Sequence, residues 1–265
     1  MSAPIITFLS DYGLEDDFVG ICHAVIAGVC PEARVIDLVH WVPRGDVRAG
    51  AVVLRGALPY LPVGVHLAVV DPGVGGDRRG VAVRTADGRM LVGPDNGLLL
   101  LATERAGGVV EAVDIGASPF ALGRVSATFH GRDIFAPVAA RLAAGAALGQ
   151  AGEPCDPGGL VALELPVPRV EGGFLVANVL YVDRFGNVQL DVEEPAFEVG
   201  ATLEVIVGSG RSERACYTRT FADAGAGELI LYEDSYRRLA VAVNQGDAAT
   251  RLGLTVDDEF RIRLM

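Results

Sequence analysis

The sequence predicts an α/β N-terminal domain with a mostly parallel sheet, followed by a smaller β-rich C-terminal domain. Three observations carry this expectation. Up to about residue 150, short apolar runs alternate with segments of helical apolar spacing. A breaker-rich stretch then follows, Gly152-Glu153-Pro154 and Asp156-Pro157-Gly158-Gly159. From Gly172 onward nearly every apolar run is strand-like. The implied division is residues 1–160 for the α/β domain and 170–265 for the β-rich domain.

Each element has its own warrant. Pro4 to Leu9 is a short buried strand (Ile5, Ile6, Phe8, Leu9) that ends at Ser10-Asp11-Tyr12-Gly13. A helix begins near Asp16: Phe18, Cys22, Val25, Ile26 and Val29 share one face, acids sit at its start, and Pro31 stops it. Arg34 to Val39 is the next strand. Gly45-Asp46 opens a second helix carrying Val47, Ala51, Leu54 and Leu58, broken by Pro59. His66 to Val70 is a third strand, ending at Asp71-Pro72-Gly73. Val81 to Arg84 and Met90 to Val92 form a hairpin around Asp87-Gly88. Val109 to Ile115 is a strand and Arg132 to Leu148 a helix. Val161 to Val167 is expected to return along the first domain. Strands over 174–182, 188–192, 202–207, 214–217, 229–232, 239–243 and 260–264 fill the second domain, with one helix over 248–252.

Composition bounds the partners. The chain has 265 residues with a formal net charge of −12, which opposes binding to nucleic acid and to anionic membrane. Solubility is the plainer consequence of that charge. Cys22, Cys30, Cys155 and Cys216 show no CxxC pair, so buried free thiols are expected rather than disulfides or zinc ligands. Met1 to Ser10 lead straight into a strand with no signal-peptide pattern, and no apolar stretch approaches membrane-spanning length. A soluble, cytoplasmic protein is expected.

Two distant segments supply chemistry. Val70-Asp71-Pro72-Gly73-Val74-Gly75-Gly76-Asp77-Arg78 offers a carboxylate and a guanidinium, and Thr128-Phe129-His130-Gly131-Arg132-Asp133 an imidazole. Glycines in both let other groups come close. A base, a fixed cation and an orienting group are what a reaction using water as nucleophile requires, so an enzyme is expected. His130 precedes a helix, whose dipole disfavours its protonation and suits a neutral imidazole. The glycine loop after Asp71 is neither GxxxxGK[ST] nor GxGxxG, and an acid at its root disfavours phosphate. Asp11, Asp71 and Asn96 all follow strand patterns, where ligands of open α/β sheets gather. Asp11 suits a vicinal diol or, equally, a turn or helix cap. Gly93-Pro94-Asp95-Asn96-Gly97 reads first as a turn. In Tyr181-Val182-Asp183-Arg184-Phe185-Gly186-Asn187, Asn187 offers paired donor and acceptor and Phe185 a stacking face; a β-turn is the alternative. His23 and His66 read as structural or exposed. No HxxxH, HExxH or GxSxG occurs, so neither a metal nor a serine nucleophile is expected.

Taken together, Thr7–Gly13, Val70–Arg78, Gly93–Leu98, Thr128–Pro137, Val182–Asn187, and Asp234-Ser235-Tyr236 with Ala242-Val243-Asn244 resemble the S-adenosyl-L-methionine (SAM) hydroxide adenosyltransferase family. This is the water-using branch of a group that includes fluorinating and chlorinating adenosyl enzymes. The blocks run in order across nearly the whole chain. The resemblance implies hydrolysis of SAM to adenosine and methionine, with SAM as substrate and no cofactor, by a homotrimer with active sites at subunit interfaces. It implies an Asp-Arg-His set that prepares a water, matched by Asp71, Arg78 and His130; family spacing selects Arg78 over Arg79. Asp11 matches the ribose-binding aspartate. Asp183, Phe185 and Asn187 match the part that holds methionine, with Ser235 nearby; Tyr236 and Asn244 match further substrate contacts. At Gly45, where fluorinating relatives carry a tryptophan over the ligand, that contact is missing or comes from Trp41 or another residue. Which of Asp71 and His130 takes the proton stays open. The competing readings are a halide-using relative forming a 5′-halo-adenosine, and a non-catalytic adenosyl-ligand binder.

Overall fold

A computed structural model describes residues 3–208 and 210–265. Met1 and Ser2, where the signal-peptide reading begins, and Ser209 lie outside the described residues. The chain forms two compact units, one up to Leu163 and the other from Glu164 onward. No helix among the described residues is long and apolar enough to cross a membrane.

In the N-terminal unit, β1 (Ile5–Ser10) is buried along nearly its whole length, as a strand covered on both faces must be. It pairs in parallel with β2 (Arg34–Val39) on one side and β3 (Val65–Val69) on the other. β3 pairs in parallel with β5 (Met90–Pro94). β4 (Gly80–Thr85) is antiparallel to β5 and to β6 (Val109–Asp114), which is antiparallel to β7 (Glu153–Cys155). The order is β2-β1-β3-β5-β4-β6-β7, so β4 and β7 alone run against the other strands of this sheet. The predicted mostly parallel sheet is borne out. Its antiparallel member β4 is the predicted hairpin partner of β5, turned by Gly88 at φ +89°.

The helices follow their patterns. α1 (Phe18–Val29) buries Val19, Cys22 and Ile26. α2 (Val47–Ala57) is capped by Asp46, whose side chain accepts from the Ala49 amide at 2.8 Å. A short α3 (Leu100–Thr103), absent from the sequence reading, contacts α2. The predicted Arg132–Leu148 helix is shorter and begins irregularly. Gly131–Phe135 is a π-helical turn, and α4 (Ala136–Ala143) follows. Pro137 has no N–H to donate, and the Ala136 amide reaches back to the Gly131 carbonyl. Gly145, at φ +98°, ends the helix well before Leu148. Ile6 and Phe8 of β1 join a core with Cys22 and Ile26 of α1 and Val138, Ala139 and Leu142 of α4.

The unit from Glu164 onward is β-rich as predicted. β8 (Arg169–Glu171), β9 (Phe174–Val182), β10 (Val188–Glu193), β11 (Thr202–Val207), β12 (Arg211–Tyr217), β13 (Leu229–Glu233), β14 (Arg238–Val243) and β15 (Glu259–Leu264) run in the order β10-β14-β13-β12-β11-β15-β9-β8. β10 also pairs with β9, which closes the sheet into a barrel and leaves β8 outside the ring. α5 (Ala248–Leu252) packs on β14. Leu190, Leu203, Leu231, Val241, Phe260 and Ile262 fill the interior. The 161–167 segment is irregular, and Val161, at its start, donates its amide to the Asp95 side chain at 2.8 Å.

Candidate active site

Three chain segments build one cleft in the N-terminal unit. The first leaves β1 at Ser10. Its hydroxyl lies 2.7 Å from Nδ1 of buried His40, and the Gly13 amide donates to the His40 carbonyl at 2.7 Å. These bonds hold the Ser10–Gly13 loop against the end of β2. Asp11 accepts the Gly45 amide on Oδ2 at 2.8 Å, which orients its carboxylate and leaves Oδ1 for a ligand. The second segment leaves β3 at Asp71. The third is the 126–133 stretch, in which buried Asp133 accepts from the Ser126 amide at 2.7 Å and pairs with Arg132. Burial raises the Asp133 pKa, but hydrogen bonds from Arg132 and Ser126 more than offset this and hold it below the ordinary value.

Two glycines let these segments meet. Gly75, at φ +76°, passes so close to the Ala127 carbonyl oxygen that a Cβ would collide with it. A Cβ on Gly131 would collide with the Tyr12 hydroxyl. The first glycine joins the Asp71 loop to the His130 segment, and the second joins that segment to the β1 loop. Asp11, Tyr12, Gly45, Asp71, Phe129 and His130 consequently line one cavity of about 440 Å³.

Asp71 and His130 line that cavity, and Arg78, outside its lining, bridges the two. Arg78 Nε donates to Asp71 Oδ1 at 2.8 Å while its Nη2 pairs with Oδ2, a bidentate arrangement. The same Nη2 lies 2.9 Å from His130 Nδ1. The guanidinium carbon sits 5.2 Å from the centre of the buried Phe135 ring. Arg78 is thus held from three sides. Burial and the Arg78 charge push the His130 pKa below its ordinary value. The Tyr12 hydroxyl is held well above its ordinary pKa by burial, with neighbouring Cys22, Asp11 and Asp71 adding to the rise, and remains a neutral phenol.

Other singled-out residues have structural employment. Arg79 points away from this set: its Nε donates to Asp95 at 3.0 Å and its Nη2 to the Gly159 carbonyl at 2.6 Å. Asn96 is outside the cavity lining and donates to the Val70 carbonyl at 2.9 Å, bracing the end of β3. His66 is buried within β3, contacts Thr7 Oγ1 at 2.9 Å, and has its pKa lowered by burial to about 4. Trp41 is exposed and does not line the cavity, and at Gly45 it is the backbone amide that serves the site. His23, read from sequence as structural or exposed, meets Asp37 and His40 in a cluster that no sequence spacing announced.

The remaining predicted residues share a second cleft, in the barrel unit. Asp183, Phe185, Asn187, Ser235, Tyr236 and Asn244 line a cavity of about 910 Å³. Asp183 accepts the Phe185 and Asn187 amides at 2.8 and 2.9 Å and the Asn187 side-chain amide at 2.8 Å, so the predicted turn and the predicted site coincide. Asp234 organises the opposite loop, accepting the Tyr236 and Arg238 amides at 2.8 and 2.9 Å, and burial raises its pKa. Asn244 donates to the Ala224 carbonyl at 2.7 Å. Phe185 stands well exposed at the cleft. Tyr181, Phe221 and Tyr232 also line it and were missed. Tyr181 and Tyr232 lay inside strand patterns, which give no sign of which face opens on a cavity.

Comparison with known proteins places the chain in a lineage. A family model described as the SAM hydroxide adenosyltransferase N-terminal domain matches residues 6–152, and its C-terminal counterpart matches residues 177–261. A Salinispora tropica protein named (R)-S-adenosyl-L-methionine hydrolase is 53% identical, over 98% of this chain and 97% of that relative. A fluorinase from an Actinoplanes species is more distant, at 28% identity over 96% of each chain. The crystal structure of an uncharacterized conserved protein from Thermotoga maritima superposes with a TM-score of 0.90 at 36% identity, covering 97% of this chain and 99% of that one. The two matched domains together span most of the sequence, and this chain belongs to the SAM hydroxide adenosyltransferase family.

Proposed function

We propose that this protein hydrolyses S-adenosyl-L-methionine to adenosine and L-methionine by attack of water on the ribose C5′. The observation that carries this reading is that Arg78 bridges Asp71 and His130, which line one cavity together with Asp11. Family membership and the name of the 53%-identical relative support it. The sulfonium is already a good leaving group, so no acid is needed at sulfur. Water is the difficult reactant, because it is a weak nucleophile until a base draws its proton.

In this mechanism the water oxygen attacks C5′ in line with the C–S bond. The C5′–S electron pair passes to sulfur and neutralises the sulfonium. The water proton leaves to a protein base and then to solvent. Arg78 has no acceptor, so His130 Nδ1 must accept the bond between them. A neutral His130 therefore carries its proton on Nε2 and keeps no lone pair for water. Each Asp71 oxygen retains a lone pair beyond the one given to Arg78. That favours Asp71 as the base, with Arg78 stabilising developing hydroxide character and His130 holding Arg78 in place. Positioning supplies much of the remaining acceleration.

In this proposal Asp11 Oδ1 grips the ribose diol. Asp183, Phe185 and Asn187 hold the methionine moiety with Ser235, and Tyr236 and Asn244 make further contacts. The reaction uses no metal or organic cofactor. The family resemblance supports a homotrimer with active sites at subunit interfaces, and four free thiols fit the reducing cytoplasm. The test is turnover of purified protein with SAM, resolving adenosine, methionine and any 5′-halo-adenosine. Adenosine and methionine in equal amounts, independent of added chloride or fluoride, support the hydrolase. A halide-dependent product indicates a halide-using enzyme, and tight SAM binding without turnover a binding protein.

A further inference from the structure

His23, Asp37 and His40 lie outside the cavity that holds Asp71 and His130, and they use their polar atoms on one another. Nε2 of His23 is 2.8 Å from Asp37 Oδ1, and Nε2 of His40 is 2.9 Å from the same oxygen. All three atoms fall within 4.8 Å of one another. They come from separate elements: His23 from α1, Asp37 from β2 and His40 from the residue after β2 ends. We propose that these three side chains form a binding site for a divalent transition-metal ion of the zinc, cobalt or nickel type.

Four features support a metal site over a plain hydrogen-bonded triad. Two imidazoles and one carboxylate are a ligand set suited to these ions, and water completes a tetrahedron. Around a tetrahedral zinc, ligand atoms stand about 3.3 Å apart, given bonds of about 2.0 Å. The observed 2.8 and 2.9 Å separations need to open only slightly, and two of the three side chains, His23 and Asp37, are partly exposed. Burial is graded as an entry route requires: His40 is 3% exposed, His23 34% and Asp37 45% by side chain. The last feature is the far nitrogen of His40, which lies 2.7 Å from the buried Ser10 hydroxyl, the kind of anchoring that orients a ligating imidazole.

That anchor gives the site a consequence. Without metal, two imidazoles that donate Nε2–H to Asp37 leave His40 Nδ1 as an acceptor of the Ser10 O–H. With metal on Nε2, the His40 proton must move to Nδ1, which then donates to Ser10 Oγ. The Ser10 hydroxyl is forced to turn around, one residue before Asp11 and 3.3 Å from the Tyr12 amide. An ion bound on the outer side of β1 and β2 thereby sets the hydrogen-bond direction at the root of the loop that carries Asp11.

The test uses the full chain, stripped with EDTA and titrated with zinc chloride by calorimetry, with cobalt(II) absorption as a second readout. The expected result is about one zinc per chain. In His23→Ala and in Asp37→Asn binding is at least about tenfold weaker, and in His130→Ala it is unchanged. His23 is partly exposed and outside the buried apolar core, so its variant is expected to fold even if Asp37→Asn does not. Nitrogen-15 NMR of the His40 ring is expected to show the proton moving to Nδ1 on zinc addition. Native-strength binding in the His23 variant, loss of binding only in His130→Ala, or no zinc bound by the native chain would each overturn the proposal. None of these outcomes depends on SAM turnover.

Discussion

Arg78 Nη2 lies 2.9 Å from His130 Nδ1, and only a neutral imidazole can accept that bond. Protonating His130 would place an N–H against a guanidinium. The His130 pKa is already held below 6.5 by burial and by Arg78. Activity is therefore expected to stay level through neutral pH and to fall only below the ordinary histidine value, as kcat/KM against pH will show. The stability linkage has the same sign. A histidine whose folded pKa is lowered contributes stability that is complete above 6.5 and is lost as pH falls through the folded value. In Arg78→Ala, NMR titration of His130 is expected to give a higher pKa than in the native protein.

Gly131 and Tyr12 provide a packing test. Gly131→Ala drives a methyl group into the Tyr12 hydroxyl and displaces His130, its neighbour. A loss of kcat of about 100-fold is expected, since small misplacements of catalytic groups have that effect. Tyr12→Phe removes the colliding oxygen, so Gly131→Ala with Tyr12→Phe is expected to recover a large part of the loss. A double-mutant cycle in kcat measures this.

Asp11 is placed to bind rather than to react. Asp11→Asn keeps an oxygen for the Gly45 amide but turns the ligand-facing acceptor into a donor. KM for SAM is expected to rise by about tenfold or more, with a smaller change in kcat. A large fall in kcat with unchanged KM would show that Asp11 acts on the reacting atoms instead.

Neighbouring arginines should separate cleanly. Arg78→Met is expected to lower kcat by about 100-fold or more while SAM still binds. Arg79→Met breaks the bonds to Asp95 and Gly159 instead. Its expected cost is about 1–3 kcal/mol of stability, with kcat retained. Thermal unfolding and steady-state kinetics on the two variants distinguish them.

Much of this organisation was legible in the sequence, for identifiable reasons. The β1 and β3 runs are buried along all or nearly all of their length, and their ends are where an α/β sheet displays ligand-binding groups, so Asp11 and Asp71 could be placed from pattern alone. Their meeting with His130 rests on Gly75 and Gly131, which were visible as glycines but not as points of contact. Closure of the barrel was not legible, because β9 and β10 each look like any alternating strand and the β10 pairing to both β9 and β14 is non-local. Family spacing favoured Arg78 over Arg79, and their different partners agree with that choice. The His23–Asp37–His40 cluster escaped because its members have no motif spacing and meet only through sheet pairing and helix packing.

The most direct test of water attack at C5′ is turnover of SAM in oxygen-18 water, with mass spectrometry of the products. The account predicts one heavy oxygen at the adenosine 5′ position and none in methionine. Heavy oxygen found elsewhere, or adenosine released without it, would contradict the mechanism.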